Sequence, residues 1–173
     1  MDKYLVALFA YLIWRVIQLS RKHKWRSSVR HEVGLALFAA FFFWLMIVTL
    51  GPPWQTVGPR NYNFVPFQVV RLSLNDWRYN HSVGYFTLNL LGNIAVFIPV
   101  GFFTLLLWEI KPAWCVFIGL TISMGIECAQ YPIGRWTDVD DIMLNTLGTL
   151  IGVLLCLGLK ALAPKFTGGF KIK

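Results

Sequence analysis

Acidic and amide side chains occur in three groups, and the spacing places each group on one face of a helix. Asn89 and Asn93 are four residues apart, and Glu127 and Gln130 are three apart. Residues at these separations point to the same side of an α-helix. The third group is a stripe that repeats every three or four residues and contains Asp138, Asp141, Asn145, Gly148 and Gly152.

The chemistry open to these groups depends on how their charge is balanced. Arg135 lies between Glu127 and Asp138, where its guanidinium could neutralise part of the acidic charge. Carboxylates and amides beside a guanidinium can bind sugar hydroxyls, amines, phosphates or carboxylates. Two carboxylates could instead act as general acid and base, as in glycoside hydrolysis, with Glu127, Asp138 and Asp141 as the catalytic candidates. Oxygen ligands also suit a divalent cation, and the acids Glu127, Asp138, Asp140 and Asp141 could supply them. Their spacing is not that of an EF-hand. We expect no metal and no cofactor.

The same side chains also have a purely structural interpretation. Asp138 and Asp141 stand where a helix is expected to begin, a position at which acidic side chains cap free N–H groups and suit the helix dipole. Asn93 and Asn145 can hydrogen-bond across an interface between helices. The sequence therefore leaves a ligand site and a structural network open as alternatives.

The residues named above lie in or beside long apolar segments. Of the 173 residues, 57% are apolar and 14% are charged, whereas a soluble domain contains about 25% charged residues. This composition argues against a soluble globule, a disordered chain, a nucleic-acid-binding module or a disulfide scaffold. Segments of about 20 apolar residues cross the hydrocarbon core as helices. We therefore predict an all-α, polytopic membrane bundle of about five transmembrane helices at Tyr4–Leu19, Val33–Leu50, Tyr85–Trp108, Ala113–Cys128 and Ile142–Ala163.

The distribution of cations predicts the orientation of this bundle. The net charge is +8, and basic residues concentrate in the loop Ser20–Glu32 and in the C-terminal tail. With five spans, both regions share a face with the turn Glu109–Pro112. Cytoplasmic loops are enriched in Lys and Arg, so the N-terminus is predicted to be outside and the C-terminus inside. The three polar groups then converge at the outer face.

Two features of the apolar segments bear on helix packing. Gly148 and Gly152 form a GxxxG pair, which lets a second helix approach closely. The partner is either another helix of the same chain or, alternatively, a second copy in a homodimer. Pro99 removes a helical hydrogen bond near Ala95 and predicts a kink there.

The loop Gly51–Gly84 is expected on the outer side. Its stretch from Arg71 to Asn80 is too polar to cross the membrane. Phe64 and Phe67 could enter the membrane interface while Arg60 and Arg71 meet lipid phosphates. The alternative is a loop packed on the top of the bundle. His81, in the same loop, is expected to be a surface residue rather than a ligand.

Several short motifs in this order resemble the VanZ-like family of bacterial membrane proteins. The resemblance covers residues 35–158, which we assign as a VanZ-like domain between a first transmembrane helix with a basic cytoplasmic loop (1–34) and a basic cytoplasmic tail (159–173). It implies a multi-pass protein of the bacterial cytoplasmic membrane, and the founding member of the family is associated with resistance to the lipoglycopeptide teicoplanin. The motifs are Asn63-Phe64-Val65-Pro66-Phe67, Asn89-Leu90-Leu91-Gly92-Asn93-Ile94, Phe97-Ile98-Pro99-Val100-Gly101, Glu127-x-x-Gln130 and Arg135-x-x-Asp138-x-x-Asp141-x-x-x-Asn145-x-x-Gly148.

These observations predict an envelope protein, surrounded by membrane lipids, with an outward-facing polar pocket. The expected partner is an amphiphilic ligand, either a lipid-linked cell-wall component or a glycopeptide antibiotic. An enzyme acting on envelope glycolipid or lipid phosphate is the alternative. A transporter that uses Glu127 for proton coupling is poorly supported, because Val116–Leu120 and Leu154–Leu159 leave the inner half apolar. The predicted ligand-binding residues are Asn89, Asn93, Glu127, Gln130, Arg135, Asp138, Asp141 and Asn145.

Overall fold

The computed structural model describes residues 28–51, 62–80 and 84–170, and these ranges are all-α apart from one pair of two-residue strands. The predicted span Tyr4–Leu19, Arg60 and His81 lie outside the described residues. The elements, in chain order, are α1 (Val29–Leu50), β1 (Tyr62–Asn63), α2 (Gln68–Asn80), α3 (Tyr85–Trp108), α4 (Pro112–Gln130), β2 (Thr137–Asp138), α5 (Val139–Leu162) and α6 (Pro164–Thr167), followed by a 3₁₀ turn at Gly168–Phe170.

Helices α1, α3, α4 and α5 are the four within the described ranges that are long and apolar enough to cross a membrane. The chain is therefore a multi-pass membrane protein, and the prediction of an all-α membrane bundle is confirmed for these segments. Helix α2 was not predicted. It has 13 residues, and at about 1.5 Å per residue it is too short to span the bilayer.

Local sequence signals account for some of the boundaries of the long helices. The Ser28 side chain accepts a hydrogen bond from the His31 N–H at 3.1 Å and caps the start of α1. Helix α3 ends at Trp108, and the next residue, Glu109, adopts a left-handed conformation with φ 49°. Helix α4 then begins with Pro112 in its first turn, where proline lacks only an N–H that would be unpaired anyway.

Helices α3 and α5 pack with their backbones in close contact. Gly148 faces the backbone carbonyl of Ile94, and Gly152 faces that of Ile98. On the other helix, Gly101 faces the backbone of Thr149. The GxxxG pair thus contacts another helix of the same chain, and a homodimer through these glycines would have to displace α3. Helix α3 continues through Pro99, and a bend of its axis there stays a prediction.

The bundle is apolar both inside and over much of its outside. One buried cluster joins α3, α4 and α5 and includes Leu105, Cys115 and Val153. A second cluster joins α1, α3 and α4 through Leu45, Phe97 and Ile126. Large side chains such as those of Leu154 and Leu155 are exposed, which is the arrangement expected of a helix surface in contact with lipid.

The helix ends gather into two sets. At one end, the turn after α6 packs on the start of α1, where Ser28 Oγ donates to the Gly169 carbonyl and His31 Nδ1 lies 2.7 Å from the Phe170 carbonyl. Lys160 Nζ donates to the Leu105 carbonyl of α3 at 2.7 Å at this same end. The opposite set contains the ends of α1 and α4, the starts of α3 and α5, the strand pair and α2, and we call it the polar end.

Candidate functional site

Glu127 and Asp138 connect the end of α4 to the start of α5. The Asp138 N–H donates to Glu127 Oε2 at 2.9 Å, and the Asp140 N–H donates to Asp138 Oδ1 at 2.9 Å. Glu127 is only 3% exposed. Both carboxylates therefore accept backbone N–H groups at a helix start, which is the capping role that the structural interpretation assigned to Asp138.

Asn63 extends this connection to the loop that follows α1. Strands β1 and β2 pair in parallel, with Asn63 opposite Asp138, and Asn63 Nδ2 donates to Asp138 Oδ1 at 3.0 Å. Asn63 Oδ1 accepts the Val65 N–H at 3.0 Å. Asn63 was not among the predicted site residues, and the only sequence signal for it was its place in the first family motif.

Asp140 holds the start of α2. Its two carboxylate oxygens accept the Phe67 and Val69 N–H groups at 2.5 and 2.6 Å, and the residue is 1% exposed. Neither Phe67 nor Pro66 can act as a side-chain N-cap for α2, so the cap comes from α5. Sequence reasoning considered Asp140 only as one acid of the cluster beside Arg135 and as a cation ligand, because the helix that it caps was not predicted.

Asp141 joins α5 to α3 through the two asparagines. Asn93 Nδ2 donates to Asp141 Oδ1 at 2.5 Å, and the Asn89 side chain also hydrogen-bonds this carboxylate. All three residues are partly exposed, and the neighbouring Gly92 is exposed with open space where a Cβ would lie. This group is one part of the polar end that is accessible from outside the bundle.

Gln130 and Arg135 hold the C-terminal end of α1. Gln130 Nε2 donates to the Thr49 carbonyl at 3.1 Å. Arg135 Nη1 donates to the carbonyls of Val48 and Gly51 at 3.1 and 3.4 Å. The last carbonyls of a helix have no intrahelical partner, and a cation near them is favourable. Arg135 was expected to balance the acids, but its hydrogen bonds go to these carbonyls.

Replacing Arg135 with alanine is expected to lower the stability of the protein whether or not a ligand is present. The loss of the hydrogen bonds at the end of α1 should cost about 1 kcal/mol. Thermal unfolding of the purified protein in detergent measures the change. The matched control is Lys165→Ala, which removes an exposed cation at the opposite end. Equal midpoints for the two variants would contradict the role of Arg135 as a cap.

Asn145 lies deeper in the interface between α4 and α5. Its Nδ2 donates to Ser123 Oγ at 2.9 Å, and both residues are buried. This contact is the hydrogen bond across helices that the structural interpretation predicted. The catalytic candidates likewise accept hydrogen bonds from backbone or amide groups of the protein. A role as general acid and base for Glu127, Asp138 and Asp141 stays a prediction.

Two buried polar atoms in the described ranges lack a hydrogen-bond partner, and both belong to elements of the polar end. They are Gln130 Oε1 on α4 and Ser73 Oγ on α2, in residues that are 8% and 6% exposed. A buried polar atom without a partner costs about 1–3 kcal/mol. Such atoms are commonly paired with a water molecule or a ligand group.

A family model described as VanZ/LLP1 matches residues 4–161 of the chain. The match includes the motifs of residues 35–158 and extends toward the N-terminus across the first predicted span. No curated protein and no solved structure matches the chain.

Proposed function

The chain belongs to the VanZ/LLP1 family, and we propose that its polar end binds the polar head of an amphiphilic ligand of the bacterial cell envelope. The ligand is a lipid-linked cell-wall component or a lipoglycopeptide such as teicoplanin, and binding of the latter would contribute to resistance. The acyl chain of the ligand lies among the membrane lipids beside the bundle.

The proposal includes an orientation in the bacterial cytoplasmic membrane. Five spans place the N-terminus and the polar end outside and the C-terminus inside. The contacts of the C-terminal turn with the start of α1 and of Lys160 with the end of α3 support it, because they gather basic segments at the end opposite to the acids of the polar end. Basic segments favour the cytoplasmic side.

Two unpartnered atoms at the polar end are consistent with the proposal. Gln130 Oε1 can accept a hydrogen bond from a hydroxyl or an amine, and Ser73 Oγ can both donate and accept. Sugars and peptides supply these groups. Because the acids Glu127, Asp138 and Asp140 already accept hydrogen bonds from the backbone, a ligand can add hydrogen bonds at this end without replacing theirs.

The observation that carries the proposal is the accessible group on α3 and α5. A carboxylate held by two amides, as Asp141 is held by Asn89 and Asn93, resembles the side chains that commonly bind sugar hydroxyls. The missing side chain at Gly92 leaves room beside them. Exposed apolar side chains on the same two helices, such as Met143, are available to an acyl chain.

Native mass spectrometry of the protein extracted with its lipids, and of delipidated protein mixed with teicoplanin, tests the proposal. Asp141→Asn removes the carboxylate charge, and Gly92→Leu puts a side chain into the open space at Gly92. Asp141→Asn is expected to lower ligand occupancy by about tenfold or more, since a hydrogen bond to a charged group contributes about 1.5–3 kcal/mol. Gly92→Leu is expected to lower occupancy because the leucine takes up the space beside the carboxylate.

The control is Glu109→Gln, which removes an acid at the other end of the bundle and should leave occupancy unchanged. Gly92→Leu keeps the test decisive if the Asp141 variant misfolds, because a Cβ added at Gly92 meets no atom within 4 Å. If the wild type carries only bulk phospholipid and binds no teicoplanin, the proposal fails. It also fails if both variants bind as the wild type does.

A further inference from the structure

We propose that α2 is an interfacial helix that lies on the bilayer surface at the polar end and binds anionic lipid headgroups through Arg71 and Arg78. This inference concerns a different surface from the proposed ligand site and does not depend on it. It rests on the burial pattern of α2, on the position of its charges and on the depth at which α2 is held.

The faces of α2 differ sharply in exposure. Val69 and Ser73 are buried against the bundle, whereas Leu74 and Trp77 are 60% and 68% exposed. At about 100° per residue, Leu74 and Trp77 form one strip on a side of the helix that the bundle does not cover. Apolar side chains of this size are left exposed where lipid, not water, surrounds them.

The arginines lie on the next strip around the helix. Arg71 and Arg78 are seven residues apart and exposed, so they are two turns apart on one face. Asn75, also exposed, follows on the side away from the apolar strip. Starting from the bundle and passing over Trp77 and Leu74, the order around α2 is apolar side chains, arginines and Asn75, which matches the layers from bilayer core to water. The amphipathic ring of Tyr79, 73% exposed, lies beyond Asn75. Arginine pairs with phosphate oxygens through two parallel hydrogen bonds.

The contacts at the start of α2 set its depth. Asp140 caps α2 from the first turn of α5, so α2 begins at the level where the apolar part of α5 begins. That level is the membrane interface. The residues just before α2 add to the apolar surface, because Phe64 and Phe67 are also exposed and aromatic rings favour this depth. A headgroup layer with negative charge complements this combination of aromatic residues and arginines.

Nitroxide labels on α2 in nanodiscs test the placement of the helix. Single cysteines at Leu74 and at Asn75 are introduced in a Cys128→Ser background, where Cys115 and Cys156 are buried. The label at position 74 should collide more with oxygen, which concentrates in lipid, and the label at position 75 more with a water-soluble nickel chelate. Equal access of both labels to the chelate would overturn the proposal. Protection of both labels from both reagents would also overturn it, since a protein partner would then cover α2.

The headgroup preference is measured with nanodiscs of mixed phosphatidylglycerol and phosphatidylcholine. Each cation near an anionic surface favours binding by about fivefold, so Arg71→Gln and Arg78→Gln should each lower the ratio of bound anionic to neutral lipid by about that factor. A second readout is the oxygen collision rate of the label at position 74 in discs of anionic lipid. This rate should fall in the two arginine variants. It should not fall in the matched controls Lys111→Gln and Lys165→Gln, which remove cations at the opposite end. Identical behaviour of both pairs would contradict the proposal.

Discussion

The Gly148→Leu substitution is expected to prevent assembly of the folded bundle. An added Cβ at this position would overlap the backbone carbonyl of Ile94, and a backbone atom inside a helix cannot move aside as a flexible side chain can. Overpacking by a few methylene groups costs about 1–3 kcal/mol, and overlap with a packed backbone costs more. Since the whole fold of a protein is stable by only about 5–15 kcal/mol, most of this variant should fail to fold.

The measurement is the fraction of monodisperse protein recovered in detergent, followed by its thermal unfolding midpoint. Gly158→Leu is the matched control on the same helix, because a Cβ there meets nothing within 4 Å. This control should be as stable as the wild type or more so, since leucine favours the helix over glycine by about 0.8–1 kcal/mol. Similar yields and midpoints for the two variants would refute the close contact of α3 with α5.

The Asp140→Ala substitution is expected to release the start of α2 from the bundle. Alanine leaves the Phe67 and Val69 N–H groups without the carboxylate that accepts them, and hydrogen bonds to a charged group contribute about 1.5–3 kcal/mol each. Hydrogen exchange in the segment 67–80 should accelerate by about a hundredfold or more. Peptide-level exchange followed by mass spectrometry measures this change.

Asp141→Ala is the matched control for α2, because Asp141 is the adjacent acid but bonds Asn93 on α3. It should leave exchange in the segment 67–80 close to that of the wild type. The conservative Asp140→Asn variant should lie between the two, since an amide keeps one acceptor oxygen. If Asp140→Ala and Asp141→Ala accelerate exchange in α2 equally, Asp140 has no special role at its start.

Local sequence was sufficient for the long helices and for some of their caps. The apolar segments gave the approximate bounds of α1, α3, α4 and α5, because hydropathy and helical periodicity are properties of neighbouring residues. The capping role of Asp138 was open to sequence reasoning for the same reason: its acceptor oxygen and the Asp140 N–H are two residues apart. The helical spacing of Asn93 and of Asp141 also indicated that both could face one interface.

The partners of the remaining polar side chains depended on the tertiary structure. Helix α2 escaped prediction because its cap, Asp140, is more than 70 residues away in the chain. Arg135 was assigned to the acids, yet it bonds carbonyls of α1 that lie more than 80 residues earlier. Apolar content and periodicity select which residues become helices, since those are decided within a turn or two. Which donor meets which acceptor depends on how closely the finished helices pack, and the glycines between α3 and α5 set that distance only once both helices are in place.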